Sequence, residues 1–244
     1  MSTTAGSHRR DHRSVLAAAE KQLLVAIARR LPAALNSDHL TLLALVAMAA
    51  AGAGFAAMRV TPWGALAVAL GLVANWFGDS LDGTVARVRG HERPRFGYYI
   101  DHVIDLAGTV ALCAGLACSG LMTPLMAVAV LAGYLLVAAE AFLATHAGGV
   151  LRLSFGGMGP TELRILLMVG ALYAAWHPTV TVPWFGSARL FDAGAAFSLP
   201  AFAIVFIVSS VRQTRELFRL EPLPRRREPI PPAFAHSVIR GGSL

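Results

Sequence analysis

Four aspartates, Asp79, Asp82, Asp101 and Asp105, stand within or at the edge of apolar sequence, where an ionised side chain is costly. Asp79 and Asp82 are three residues apart and Asp101 and Asp105 four apart, so on helices each pair projects from one face. Two such faces brought together form a cup of four carboxylates. Crowded carboxylates repel, and one or more would take up a proton unless a cation held them. A divalent metal is the simplest resolution. Mg²⁺ suits it, because that ion takes hard oxygen ligands and shares its shell between a few carboxylates and substrate phosphates. Such ions would clamp a diphosphate and neutralise the charge that builds on a leaving phosphate, which points to phosphoryl transfer at a membrane surface.

The neighbours of the aspartates fit that chemistry. Gly83 carries no side chain and would let a bulky substrate lie against the helix, although close helix packing explains a glycine equally well. Ala86, four residues after Asp82, is small for the same possible reasons. Arg87, one turn beyond the carboxylates, is placed to pair with a phosphate or, alternatively, to snorkel and set topology. Asn75 lies four residues before Asp79 on the same face, where it would meet a nucleotide or orient an aspartate. Glu140, within an apolar run, is expected to have a structural partner, an Arg or a His.

The elements that must position these residues are membrane helices. The chain of 244 residues is 56% hydrophobic and 14% charged, and its net charge of +7 collects in a few segments, which argues against nucleic acid as a partner. The basic start lacks a secretory signal, because Glu20 and Lys21 interrupt the apolar run. Cys113 and Cys118 are five apart without a CxxC pattern and read as packing or lipid-facing residues. Residues 1–13 read as disordered and 14–35 as an amphipathic juxtamembrane helix, with a soluble-type helix packed on the bundle as the other reading. Pro32 breaks the chain, and Asn36, Ser37 or Asp38 is available to cap the next helix.

Six spans follow, near Leu40–Met58, Trp63–Arg87, Gly97–Leu121, Pro124–His146, Thr161–Trp176 and Gly194–Val211. The membrane domain is set at 36–219, with 177–192 as a loop and 220–244 as a basic, Pro-rich, disordered tail. Lys and Arg concentrate at the start, in the second and fourth loops and in the tail, so both termini are expected in the cytoplasm. In that frame the four aspartates, Glu140, His146, Arg152, Glu162 and Arg164 all face the cytoplasmic side, where one cavity would gather them.

Asp79-x-x-Asp82-Gly83-x-x-Ala86-Arg87, nine residues, then Gly97-x-x-x-Asp101-x-x-x-Asp105 resembles the motif of the CDP-alcohol phosphotransferases at all eight of its defined positions. The resemblance implies an all-α integral membrane fold over about residues 14–215, a six-transmembrane-helix bundle preceded by a juxtamembrane helix, and a homodimer. It implies that Asp79, Asp82, Asp101 and Asp105 hold Mg²⁺ or Mn²⁺, two ions in all, that Asp105 is the candidate base, and that Gly83, Ala86, Arg87 and Gly97 lie against the CDP moiety. The partners implied are a CDP-alcohol donor and a lipid or polar-alcohol acceptor within the bilayer, here the plasma membrane of a bacterium.

For the donor, Asp101-His102, Leu151-Arg152, Phe155-Gly156 and Thr161-Glu162 are similar to elements of choline and ethanolamine phosphotransferases, where a histidine and a glutamate act near the acceptor hydroxyl. On that resemblance His102 and Glu162 join Asp105 as catalytic candidates, and CDP-choline or CDP-ethanolamine with diacylglycerol is the first expectation. The spacing around Phe155 and Thr161 departs from the pattern. Phosphatidyl transfer from CDP-diacylglycerol to inositol, inositol phosphate, glycerol phosphate or serine is the alternative. Intramembrane prenyltransferases also use aspartates and Mg²⁺, but on two distant motifs, whereas here both pairs fall within 27 residues. An ion-coupled transporter would show a midplane acid between inverted repeats, and neither is visible in the sequence.

Overall fold

The computed structural model describes residues 15–148, 160–183 and 186–223. The expected disordered start at 1–13, the expected tail of 220–244 from residue 224 on, Arg152 and the Phe155-Gly156 element lie outside the described residues. The described chain forms α1 (Val15–Arg30), α2 (Ser37–Ala57), α3 (Gly64–Val88), α4 (Pro94–Cys118), α5 (Pro124–Gly148), α6 (Pro160–Ala174), β1 (Thr179–Val182), β2 (Gly186–Arg189) and α7 (Leu190–Leu220). Of these, α2, α3, α4, α5 and α7 are long and apolar enough to cross a membrane, and α6 has 15 described residues.

The helices begin and end where local chemistry dictates. Asn36 is the residue that caps α2: its side chain accepts from His39 N at 3.0 Å while its own N–H donates to His39 Nδ1 at 3.3 Å. Pro94 opens α4 in the first helical turn, where a missing N–H costs nothing, so this helix starts before the expected Gly97. Gly90 turns the chain out of α3 with φ of +66°, a conformation that side chains disfavour. The segment expected to be a plain loop contains an antiparallel hairpin instead, Thr179 pairing Arg189 and Val182 pairing Gly186. Its β-branched Thr-Val-Thr-Val strand suits a pleated ribbon, and Gly186 takes the positive φ of +79° that the return requires. The last helix is longer than the expected span at both ends and carries Arg212, Arg215 and Arg219 on its continuation.

Among lipid chains apolar burial gives little preference for one helix contact over another, so close approach between small residues selects the packing. A Cβ at Gly71 would lie 2.8 Å from Ala47 O, and one at Gly78 would lie 2.6 Å from Leu40 O. These positions, seven apart on α3, bring that helix against the backbone of α2. A Cβ at Gly115 on α4 would come closer still, 1.9 Å from the carbonyl oxygen of Gly52 on α2. The resulting α2–α3–α4 unit carries both aspartate pairs. Phe55, Val68, Leu72, Leu112, Leu116, Ala171 and Ala195 fill one core, drawn from α2, α3, α4, α6 and α7.

A second cluster joins Leu24 and Ala28 of α1 to Leu40, Leu81 and Val85, so α1 is packed on the bundle beside the aspartate end of α3. Arg89 fixes that corner by donating to the carbonyls of Leu31 and Pro32, each at 3.0 Å, and to that of Leu35. An ion pair between Arg93 and Asp38 ties the basic α3–α4 connection to the start of α2.

Candidate active site

The last turns of α3 and the first turns of α4 set the two aspartate pairs side by side. One oxygen from each of Asp79, Asp101 and Asp105 lies within 4.8 Å of the others, and all three residues are half-buried. Asp82 stands outside this group of three. Its Oδ2 accepts from Thr41 Oγ1 of α2 at 2.8 Å, and its Oδ1 accepts from the N–H of Gly83. Three residues turn the helix by about 300°, a net offset of about 60°, so the two carboxylates share a face of α3 but meet different neighbours, Asp82 the Thr41 hydroxyl of α2 and Asp79 a cation of α6.

A cation reaches the cup from α6. Arg164 Nη2 donates to Asp79 Oδ2 at 2.6 Å, with side-chain exposures of 14% and 23% for the two partners. The sequence placed Arg164 on the same membrane side but gave it no role, because nothing in its local pattern names a partner 85 residues away. Thr41 falls inside the first expected span, where nothing in its local pattern names an aspartate 41 residues later.

Arg87 is exposed, donates to Thr84 Oγ1 at 3.1 Å and lies over Gly83, whose missing Cβ would be 3.6 Å from Nη1. Gly97 is exposed and has no atom within 4 Å of where a Cβ would be, while Ala86 is half-buried on α3. The surface along Gly83, Arg87 and Gly97 is therefore open beside the carboxylates. Asn75 is not part of it: the residue is buried, and Nδ2 donates to Ala44 O at 3.0 Å within the α2–α3 contact. Glu162 is exposed in the first turn of α6.

His102 sits next to the cup rather than inside it. Nδ1 lies 3.5 Å from Asp101 Oδ2, and the buried ring stacks on Tyr98 at 4.2 Å with Phe142 at 4.9 Å. Glu140 is buried and accepts from Ser209 Oγ at 2.7 Å, so among the described residues its hydrogen-bond partner is a hydroxyl on α7, where an Arg or a His was expected. Cys113 is buried and Cys118 exposed, and neither is bonded to the other.

The donor set fits a hard divalent ion: three carboxylates from two rigid helices, all oxygen, already converged without a protein nitrogen or sulfur among them. The site borders the surface formed by Gly83, Arg87 and Gly97. The family model for CDP-alcohol phosphatidyltransferase matches residues 35–210, which is most of the chain. The chain belongs to this family. It is accordingly a membrane transferase of substituted phosphate groups, drawing on a CDP-alcohol donor and an alcohol acceptor in phospholipid biosynthesis.

Among solved structures, two of phosphatidylinositol phosphate synthase (PgsA1) from Mycobacterium tuberculosis are similar to this family member. The one with CDP-DAG bound is 21% identical with a TM-score of 0.57, and the match covers 86% of this chain and 100% of that one. The one in complex with manganese and citrate is 20% identical with a TM-score of 0.55, covering 87% and 94%. At these identities the likeness is one of fold. No curated protein matches the sequence.

Proposed function

We propose that the protein transfers a phosphatidyl group from CDP-diacylglycerol to the hydroxyl of a small polar alcohol, such as inositol phosphate, glycerol phosphate or serine, releasing CMP. The observation that carries the reading is the three-carboxylate cup flanked by an open glycine face, within a chain of this family. The choice of donor departs from the first sequence expectation of CDP-choline or CDP-ethanolamine. It is supported by the fold neighbour that has CDP-DAG bound, which this chain matches over the whole of that neighbour's length, and by the enclosure of His102 between Tyr98 and Phe142.

Asp79, Asp101 and Asp105, joined by Asp82, hold Mg²⁺ or Mn²⁺, two ions in the full site. When bound, the ions neutralise the diphosphate and the charge that collects on the departing CMP. Asp105 accepts the proton of the acceptor hydroxyl, whose oxygen attacks the phosphorus that bears the diacylglycerol. The bond from that phosphorus to the CMP oxygen breaks, so one P–O bond forms as another is lost and no covalent enzyme species is required. Gly83, Ala86 and Gly97 give the nucleotide room against the helices, and Arg87 pairs with a phosphate oxygen. His102 orients Asp101, and Glu162 lines the approach of the acceptor.

In this reading α6 is the fifth of six spans and α7 the sixth, α1 lies along the cytoplasmic surface as the juxtamembrane helix, and residues 36–219 are the catalytic domain of a homodimer in a bacterial plasma membrane. Arg87, Arg89, Arg93 and Arg95 between the aspartate pairs, with Arg212, Arg215 and Arg219 at the end of α7, support a cytoplasmic active site.

The test is CMP release by purified protein with Mg²⁺ or Mn²⁺. CDP-diacylglycerol is offered with each polar alcohol, and CDP-choline and CDP-ethanolamine are offered with diacylglycerol. Release from CDP-diacylglycerol alone is expected. Release only from the soluble CDP-amino alcohols would return His102 and Glu162 to the acceptor side of the reaction, and silence with every donor would remove the proposed activity.

A further inference from the structure

We propose that Arg164 is the resident counter-ion of the carboxylate cup and that a divalent ion displaces it from Asp79. The inference rests on the metal-binding reading above and adds an ordered exchange to it. Asp79, Asp101 and Asp105 bring three carboxylates into one half-buried space between α3 and α4. Without a cation these groups repel strongly, because little water screens them there. Arg164 enters from a different helix, and Nη2 lies 2.6 Å from Asp79 Oδ2 while the arginine side chain as a whole keeps 14% of its surface exposed. That exposure matters: the pair is sheltered, yet part of the arginine side chain still reaches solvent.

The exchange follows from charge. A guanidinium contributes a single positive charge spread over a planar fork and holds one carboxylate of the three. A divalent ion contributes twice that charge at a point and draws oxygens from all three at once. The two cations also repel each other, so the guanidinium opposes metal entry for as long as it stays on Asp79. The opposite arrangement makes the opposite prediction. If Arg164 served to hold Asp79 in the orientation a metal needs, its loss would weaken metal binding by roughly 10- to 100-fold, as for other partners of metal ligands.

The experiment is Mn²⁺ titration of the full chain in detergent, by electron paramagnetic resonance of the free ion, with melting curves in EDTA and in saturating Mn²⁺. Arg164→Gln is expected to bind Mn²⁺ at least about tenfold more tightly than the parent protein, because one opposing charge is gone. It should also melt below the parent in EDTA and close most of that gap in Mn²⁺, since the lost ion pair is one the metal-loaded protein no longer has. Arg164→Lys, which keeps the charge but loses the planar fork, should tighten binding by a smaller factor and provides the measurement if the glutamine variant does not fold. Unchanged or weaker Mn²⁺ affinity, or a melting deficit equal in both conditions, overturns the exchange while leaving the metal site intact. Failure of the parent protein to bind Mn²⁺ would remove the metal reading itself and this inference with it.

Discussion

Thr41 Oγ1 lies 2.8 Å from Asp82 Oδ2, joining the second turn of α2 to a motif aspartate 41 residues later. Thr41 is buried at 6% exposure, so water does not compete for the bond. A hydrogen bond to an ionised carboxylate is worth about 1.5–3 kcal/mol, and partners of this kind tune metal affinity by roughly 10- to 100-fold. Thr41→Val keeps the shape and removes the donor. It should weaken Mn²⁺ binding within that range while the protein still folds, and Thr41→Ser should recover most of the loss. Calorimetric titration of the three proteins would decide it: a valine variant with parental affinity means that Asp82 needs no orientation from α2.

Removal of the metal gives the broadest check on the cup. EDTA should abolish CMP release, and Mg²⁺ or Mn²⁺ should restore it. Asp79→Asn, Asp101→Asn and Asp105→Asn each replace one of three converged carboxylates. Each should lower turnover by at least about a hundredfold, the scale on which one lost electrostatic group in an active site is felt. Near-parental turnover of Asp101→Asn or Asp105→Asn in folded protein would mean that the cup is not where the phosphate is transferred.

The motif aspartates were legible because a carboxylate in apolar sequence is costly, and because spacings of three and four define a helix face without any tertiary information. The start of α2 was legible from the capping chemistry around Asn36, whereas α4 starts at Pro94, three residues before the expected Gly97. What reads poorly is whatever depends on which surfaces meet. Asn75 shares a face with Asp79 by spacing, yet it lies one turn deeper, where α2 and α3 touch through Ala44 and Gly78, so its amide is taken by a neighbouring backbone. Arg164 joins the site only because α6 packs beside α3, and no periodicity encodes that. The hairpin at 179–189 was missed because four-residue strands are too short to establish an alternation.

Distant from the aspartates, Asp192 in the first turn of α7 accepts from Thr123 twice, from N at 2.7 Å and from Oγ1 at 2.6 Å. Thr123 immediately precedes α5, so one carboxylate fastens the entry of that helix to the entry of α7. Asp192→Ala leaves the Thr123 N–H without its acceptor, at a cost of about 1–3 kcal/mol. The variant should melt lower but, per folded molecule, release CMP at the parental rate with unchanged KM for the donor. A change in kcat without a change in melting would instead connect this corner to the chemistry.

The glycines separate packing from substrate contact. At Gly78 a Cβ would stand 2.6 Å from Leu40 O and 2.9 Å from Ala44 N, both backbone atoms, so Gly78→Ala must push α2 and α3 apart. Forced overpacking of this kind costs about 1–3 kcal/mol, and because Asp79 is the next residue the loss should appear in melting and in turnover together. Gly83 and Gly97 behave differently. The nearest atom to a Cβ at Gly83 is Arg87 Nη1 at an ordinary 3.6 Å, and at Gly97 there is none within 4 Å. Gly83→Ala and Gly97→Ala should therefore melt with the parent protein. If a nucleotide lies along this face, each will nonetheless raise KM for the CDP-alcohol, since a methyl group now occupies space the donor uses. Parental melting with parental KM in both variants would place the nucleotide elsewhere, whereas lowered melting would show that these glycines serve the helix contact after all.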